Sequence, residues 1–348
     1  MKILFIGEAW LGSCARSLRE ALARTGSIEL DDFDEQAPFP KSECRWLRAI
    51  NRVLLPAYEL DFDRQVLARA RALQPDVVMT YKGVHLHQPL IGRLRKLGIL
   101  TVNVYPDCSP HAHGGRHRRA VGAYDLVIST KAYHPELWRS LYGYDNRCDF
   151  VPQGYDPSLH LVRDPPSDFR FDVAMIATYR AEYGKLIIDF SHALNDARVS
   201  VAIGGYGWDA VRAQLPPHWT FLGAVSGWNY VSILRGAKIC IAPLTREVVV
   251  NGCMQPGDID TTRSYELAAA HCFFFHRRTD YAKILYDEAT EVPMFDSARE
   301  LADLTVHYLA RDVERMRMSD AAHRRAVPAY SLDARAKEII EILQAELA

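Results

Sequence analysis

One feature constrains the fold more than any other. Short, unbroken apolar segments alternate with amphipathic helical ones along nearly the whole chain. KILFIG (2–7), IELDDF (28–33), DVVMTYKG (76–83), LTVNVYPD (100–107), DLVISTK (125–131) and CDFVPQG (148–154) carry the pattern in the first half. FDVAMIAT (171–178), RVSVAIGG (198–205), WTFLGAV (219–225), KICIAPL (238–244), HCFFFHR (271–277) and EVPMFD (291–296) carry it in the second. Continuous Val/Ile/Leu runs spaced by helices indicate parallel strands buried on both faces. CARSLREALARTG (14–26) illustrates the helices, with Ala15, Leu18 and Leu22 on one face and Gly26 as the stop. LVRDPPSDFR (161–170) breaks the alternation with two prolines and mixed charge. The expected fold class is α/β, with two Rossmann-like, doubly wound domains facing a central cleft. The expected bounds are 1–162, a linker 163–170, 171–330, and a C-terminal helix within 331–348 able to pack back on the first domain. A length of 348 residues accommodates two such cores.

Composition narrows the function classes. The formal net charge is -1, so no global field favours nucleic acid, and any anion site must be local. No run of 18 apolar residues is present, so no transmembrane helix is expected. MKILFIGEAW reads as a first buried strand rather than a signal peptide, because Gly7 and Glu8 break its apolar run. The seven cysteines are scattered, with no two within ten residues, which is neither a zinc nor a redox spacing. The expected setting is a reducing, bacterial cytoplasm.

Ligands of doubly wound sheets bind beyond the carboxyl ends of the strands, so the residues there carry the functional argument. After 171–178, Thr178, Arg180 and Lys185 stand where a strand gives way to a helix. Two cations beside helix amides can cradle a diphosphate, or both can simply be solvated. After 198–205, Gly205, Tyr206, Gly207 and Trp208 offer a tight turn, close backbone approach and an aromatic face. After 238–244, a long polar loop leads to a helix starting near Thr262, with Asp258, Asp260, Thr261, Arg263 and Glu266 around its start. Asp260, Thr261 or Thr262 can cap that helix, and Glu266 suits its dipole. No S/T-x-x-E box places Glu266, since position 263 is Arg. Asp258 and Glu266 can therefore both face a ligand at the helix mouth.

The spacing Asp258-x7-Glu266, followed by small residues and an apolar strand, resembles the E-x7-E element of retaining, two-domain (GT-B) group 1 glycosyltransferases. Arg180-x4-Lys185 matches the basic pair that this group places on the donor diphosphate. GGYGWD, FLGAVSGWNYVSIL, AKICIAP, TTRSYELAAAHCFFFHRRTDYAKILYDEATEVPMF and SARELADLTVHYL together resemble the CgeB-like, spore-maturation branch over about residues 170–325. The first acid is Asp258 where the pattern has Glu, and His271 stands where Gly is common. The resemblance implies metal-independent transfer from a nucleotide sugar, with no cofactor beyond that co-substrate. Arg180 and Lys185 would stabilise the leaving diphosphate, Glu266 would bind donor hydroxyls, and Asp258 would lie near the sugar. Arg263 would either hold Glu266 or add to the phosphate site. No covalent nucleophile is implied.

The expected acceptor side draws on the first half. GEAWLGS (7–13) contributes Glu8, Trp10 and Gly12, and its glycine spacing is not a dinucleotide fingerprint. PDCSPHAHGGRHRR (106–119) contributes Asp107, either orienting an acceptor hydroxyl or capping a turn, and His111 or His113 as a sugar contact. His111, His113 and His117 lack fixed metal-ligand geometry, so a cleft loop or basic patch is the expectation there. ECRWLRAINRVLLPAYEL (43–60) sets Trp46, Ile50, Val53 and Leu54 against Arg45, Arg48 and Arg52, which suits either packing on its own domain or peripheral contact at the inner face of a membrane. The acceptor can be a glycan, a lipid-linked molecule, a protein or a small molecule. The alternative functions are a nucleotide-sugar epimerase-like GT-B enzyme and a non-catalytic nucleotide-sugar-binding protein. The missing export signal argues against a two-lobed solute-binding protein, and the broken glycine pattern against a dehydrogenase.

Overall fold

A computed structural model describes residues 1–40, 42, 44–194, 198–250 and 252–348. The chain packs as two compact units. The first comprises Met1–Pro152, Val250–Gly252 and Arg335–Ala348, and the second Gln153–Val249 and Cys253–Ala334.

In the first unit, β1 (Lys2–Gly7), β2 (Glu29–Asp34), β3 (Val77–Tyr81), β4 (Leu100–Tyr105), β5 (Leu126–Ser129) and β6 (Arg147–Phe150) form one parallel sheet in the order β2-β1-β3-β4-β5-β6. In the second, β7 (Phe171–Ile176), β8 (Val201–Gly204), β9 (Thr220–Phe221), β10 (Ala237–Ala242), β13 (Phe274–Arg277) and β14 (Met294–Phe295) form another, in the order β14-β13-β10-β7-β8-β9. Between β10 and β13 the chain forms a two-stranded ribbon, β11 (Glu247–Val250) with β12 (Cys253–Pro256). The sequence had read this stretch as loop.

Helices α1 (Cys14–Arg24), α2 (Arg45–Leu73), α3 (Gln88–Arg95), α4 (Gly115–Val121) and α5 (His134–Tyr142) connect the first strands. Helices α6 (Pro157–His160), α7 (Ala181–Ala193), α8 (Gly227–Arg235), α9 (Arg263–Ala269), α10 (Asp280–Leu285), α11 (Ala298–Leu309) and α12 (Asp312–Ala326) belong to the second unit, and α13 (Leu332–Leu347) ends the chain. The segment read as 43–60 continues well beyond Leu60 in α2; its first residue, Glu43, lies outside the described residues.

The inner strands of the second sheet feed two cores, which is why their sequence lacks polar alternation. Val173, Met175 and Phe275 pack with Phe190 and Trp219 on one face, and Ala174, Ile176 and Phe274 pack with Tyr265 and Tyr286 on the other. In the first unit, Leu4, Ile6, Val78 and Val127 pack with Phe62 and Trp138. Near the end of α13, Glu346 pairs with Arg147 of β6 at 2.5 Å. Residues 163–170 run over the second unit, where the Arg163 carbonyl meets His271 Nδ1 at 3.0 Å and Arg170 N–H donates to the Gly236 carbonyl at 2.8 Å.

The connections fix where ligands can bind. In the first sheet the strand order turns back between β1 and β3, and in the second between β7 and β10. At such switch points the connecting helices leave toward opposite faces and open a crevice at the strands' carboxyl ends.

Candidate functional site

At the second switch point β7 ends in Ile176, whose carbonyl receives the Arg263 Nη1–H at 3.4 Å. This is a long, weak bond. Arg263 Nε is buried and has no hydrogen-bond partner among the described residues, and neither has the neighbouring Thr261 hydroxyl. Two orphaned polar atoms beside a strand end are unusual in a folded interior, where buried polar groups are nearly always paired. At the crevice they leave a cation whose Nε–H is unpartnered among the described residues.

Flanking side chains extend this point into a row. Tyr183 of α7 is buried and contacts the Thr245 hydroxyl at 3.3 Å, and its own hydroxyl feels the charges of Arg263, Asp258 and Arg180. Burial pushes its pKa up, while Arg263 pulls it back. Asp258 is fixed there because its N–H donates to the Thr245 carbonyl at 2.8 Å. On the other side, Tyr230 of α8 donates to Glu266 Oε2 at 2.7 Å. Burial, and then the charge of Glu266, drive the Tyr230 pKa well up, so the phenol stays a donor. His160 of α6 accepts the Asp156 N–H on Nδ1 at 3.1 Å, which leaves the ring proton on Nε2, 3.7 Å from Glu266 Oε1. The charge of Arg263 is felt by both Tyr183 and Tyr230.

A hydrogen-bond chain holds the start of α9. Thr261 N–H donates to Ser264 Oγ at 3.1 Å, and Ser264 Oγ meets His276 Nε2 at 2.7 Å. His276 Nδ1 faces the Arg277 carbonyl at 2.6 Å, and burial pushes the His276 pKa down to about 4, so the ring is neutral and Nε2 accepts.

Several expected site residues stand elsewhere. Asp260 is fully buried and takes the Tyr265 hydroxyl, so it braces α9 from within rather than meeting a ligand. Trp208 does not present a stacking face: it is buried, donates Nε1–H to the Ala177 carbonyl at 2.7 Å, and meets Tyr179 edge-on. The glycine turn before it serves chain packing. Gly205 has φ +124°, and a Cβ there would sit 2.0 Å from the Ala177 carbonyl oxygen. Lys185 lies one turn into α7, is mostly exposed, and pairs with Asp189 at 2.7 Å, the i,i+4 neighbour on the helix surface. Its ammonium thus faces Asp189 in this structure. Thr178, Arg180 and Tyr206 are exposed at the strand ends, and Gly207 adopts φ +86° beside Tyr179. Thr262 starts α9 without a side-chain cap bond. Glu266 is held by Tyr230 and His160, not by Arg263.

In the first unit, Glu8 follows β1 and accepts from Trp10 Nε1 at 3.0 Å and Gln36 Nε2 at 2.7 Å. Gly12, at φ +93°, turns the chain so that Ser13 caps α1 by accepting from Arg16 N–H at 3.0 Å. Beyond β4, Asp107 Oδ2 lies 2.9 Å from His113 Nε2 and 3.9 Å from Lys82 Nζ. Burial pushes Asp107 up, but the His113 hydrogen bond and the Lys82 charge outweigh it and hold the carboxyl below the usual range. His111 does not join this group, since its ring leans on Tyr142 at 5.4 Å. Lys82 and Glu35, near Asp107 and Glu8, escaped the sequence reading, and His117 entered it only with His111 and His113 as a weighed metal ligand. Lys82 stands in the left-handed region at φ +67°. Glu35 is buried, accepts from His85 N–H at 2.7 Å, and has its pKa pushed by burial up to about 7. His117 is buried against Tyr105, and burial takes its pKa down to about 4. The only sequence signal of the first two is position, Lys82 just past a strand and Glu35 just past another. Among the described residues no three His, Cys, Asp or Glu side chains come together to hold a metal ion.

A family model described as glycosyl transferase-like matches residues 185–341. Among curated proteins none matches. Among solved structures, sucrose-phosphate synthase from Thermosynechococcus elongatus is similar at 14% identity over 99% of both chains, with a TM-score of 0.69. The Anabaena Alr3699/HepE protein in complex with UDP-glucose is similar at 14% identity, over 99% of this chain and 100% of that one, with a TM-score of 0.67. AviGT4, a glycosyltransferase involved in avilamycin A biosynthesis, is similar at 15% identity, over 100% and 98%, with a TM-score of 0.62. At this level of identity the structural likeness gives the fold, two Rossmann-like domains of the GT-B type. The family match makes residues 185–341 glycosyl transferase-like.

Proposed function

We propose that this enzyme transfers a sugar from a nucleoside-diphosphate sugar to an acceptor hydroxyl, with retention of configuration and without a metal ion, and that it belongs to the CgeB-like branch of the group 1 enzymes. The observation that carries the reading is Arg263, a cation whose buried Nε–H has no partner among the described residues, at the carboxyl end of the switch strand β7. Arg263 binds the diphosphate there, joined by Arg180 at the start of α7. Glu266, oriented by Tyr230 and His160, accepts hydrogen bonds from donor hydroxyls, and Asp258 lies on the sugar side. The Anabaena protein's UDP-glucose complex supports this donor class.

In the reaction, the bond from the anomeric carbon to the diphosphate oxygen breaks as the acceptor oxygen bonds to that carbon on the same face. The acceptor proton passes to the departing diphosphate. Fixed positive charge favours this step, because negative charge grows on the leaving group. On the first unit, Asp107 with His113, together with Glu8, Trp10 and Gly12, orients the acceptor.

The test is release of nucleoside diphosphate from a panel of nucleotide sugars by wild type and Glu266→Gln. The variant keeps the Tyr230 contact but loses the charge, and turnover should fall at least about ten-fold, as losing one charged hydrogen bond implies. Unchanged turnover and donor KM would remove Glu266 from the site.

A further inference from the structure

Helix α2 is two helices in behaviour. Its second half is anchored, with Phe62, Val66, Leu67 and Ala70 buried. Its first half is not. From Arg45 to Ala57 every residue except Asn51 is exposed. Pro56 lies between the halves, where it removes one backbone donor from the helical ladder. The exposed part is not the polar surface expected of a solvated helix. Trp46 is 80% exposed, Val53 79%, Ile50 51% and Leu47 50%, with Leu54 beside them. At 3.6 residues per turn these side chains share one broad face, and Arg45, Arg48 and Arg52 share the opposite one. Monomeric proteins rarely leave such a contiguous apolar patch in water.

Charge selects the occupant. Residues 44–58 contain three arginines and no Asp or Glu. An apolar face with Trp, backed by a purely cationic face, is the composition of a helix that lies in the interface of an anionic bilayer. There Trp46 sits at headgroup level and the arginine stems reach up to lipid phosphates. A second copy of the chain fits less well. Symmetric pairing would cover the apolar face but leave the arginines on the outer side with no acid in the segment to meet them, so it gives the cationic face no role.

We propose that residues 45–57 are a docking surface for an anionic phospholipid membrane, which the rest of the enzyme meets from one side. This does not depend on the transferase reading, and its test does not use catalysis. Full-length protein is floated with vesicles of phosphatidylcholine alone and with vesicles containing an anionic phospholipid. Two variants are compared, Arg45→Gln/Arg48→Gln/Arg52→Gln and Trp46→Ser/Val53→Ser. All five positions are exposed, so circular dichroism and melting should match wild type. Wild type should float with anionic vesicles and much less with neutral ones, and high salt should weaken the binding. Each arginine contributes roughly five-fold to partitioning, so the triple variant should lose about a hundred-fold. The apolar variant should lose binding at low and high salt alike. Wild type remaining in solution with anionic vesicles overturns the proposal, as does binding that both variants retain. A dimer in solution that Trp46→Ser/Val53→Ser dissociates also overturns it, by assigning the face to a second copy.

Discussion

Replacing Arg263 with Met separates binding from folding more cleanly than any other change at the site. Methionine keeps much of the apolar stem and removes the guanidinium. Among the described residues that group makes one hydrogen bond, to the Ile176 carbonyl at 3.4 Å, and its Nε makes none. A bond that long contributes little, so unfolding free energy should change by less than about 1 kcal/mol. Against a bound diphosphate the same group supplies charge-assisted hydrogen bonds, each worth about 1.5–3 kcal/mol. Affinity for the nucleoside diphosphate should therefore fall roughly 10- to 150-fold. Calorimetric titration of nucleoside diphosphate into both proteins reads the affinity, and melting without ligand reads the stability. Equal affinities would refute the placement of the diphosphate at β7. A large loss of stability without ligand would mean that the guanidinium is a structural brace, and that the orphaned Nε has been misread.

Other outcomes follow from the same geometry. Lys185 is tied to Asp189 by an exposed i,i+4 pair worth only about 0.3–0.5 kcal/mol, which a diphosphate can outcompete. Titration should show weaker nucleotide binding for Lys185→Met and no weakening for Asp189→Asn. Trp208→Phe loses the bond to the Ala177 carbonyl and some packing. It should lower stability by about 1–3 kcal/mol in denaturant melts while leaving nucleotide affinity intact. Glu35 carries a pH signature. Its folded pKa of about 7 lies above the ordinary 4.5, so it favours the folded state most below the ordinary value and loses that contribution as pH rises to about 7. Across that window the wild type should lose about 3 kcal/mol relative to Glu35→Gln, which keeps an acceptor for the His85 N–H. Parallel stability profiles for the two proteins from pH 5 to 8 would show that Glu35 does not titrate there.

The strands were legible because burial on both faces writes itself as continuous apolar runs. Every strand of the two main sheets lies within or beside a segment expected from the sequence. The β11–β12 ribbon was not, because its VVV run sits inside a polar loop between two stronger strands. At the site, the start of α9 and the candidates Asp258, Arg263 and Glu266 were readable from local spacing. Their supports were not. His160 is 106 residues before Glu266 and Tyr230 is 36 before it, and only the fold brings them together. Trp208 misled because an aromatic after a glycine turn looks like a stacking platform, whereas the turn exists to let the chain approach Ala177. Asp260 misled for a similar reason: an acid near a helix start suggests a cap or a ligand, and nothing local reveals that Tyr265 turns back onto it. The Lys185–Asp189 pair needed only the i,i+4 rule and was readable all along.

The most direct measurement of the central claim is a thermal-shift screen of the full chain against nucleoside diphosphates and their sugar conjugates, with and without EDTA. A ligand that binds only the folded state raises the melting temperature by mass action. A clear rise with one nucleotide class, unchanged by EDTA and lost in Arg263→Met, is the predicted result. No rise with any nucleotide, or a rise that EDTA abolishes, would contradict metal-independent donor binding at the second sheet.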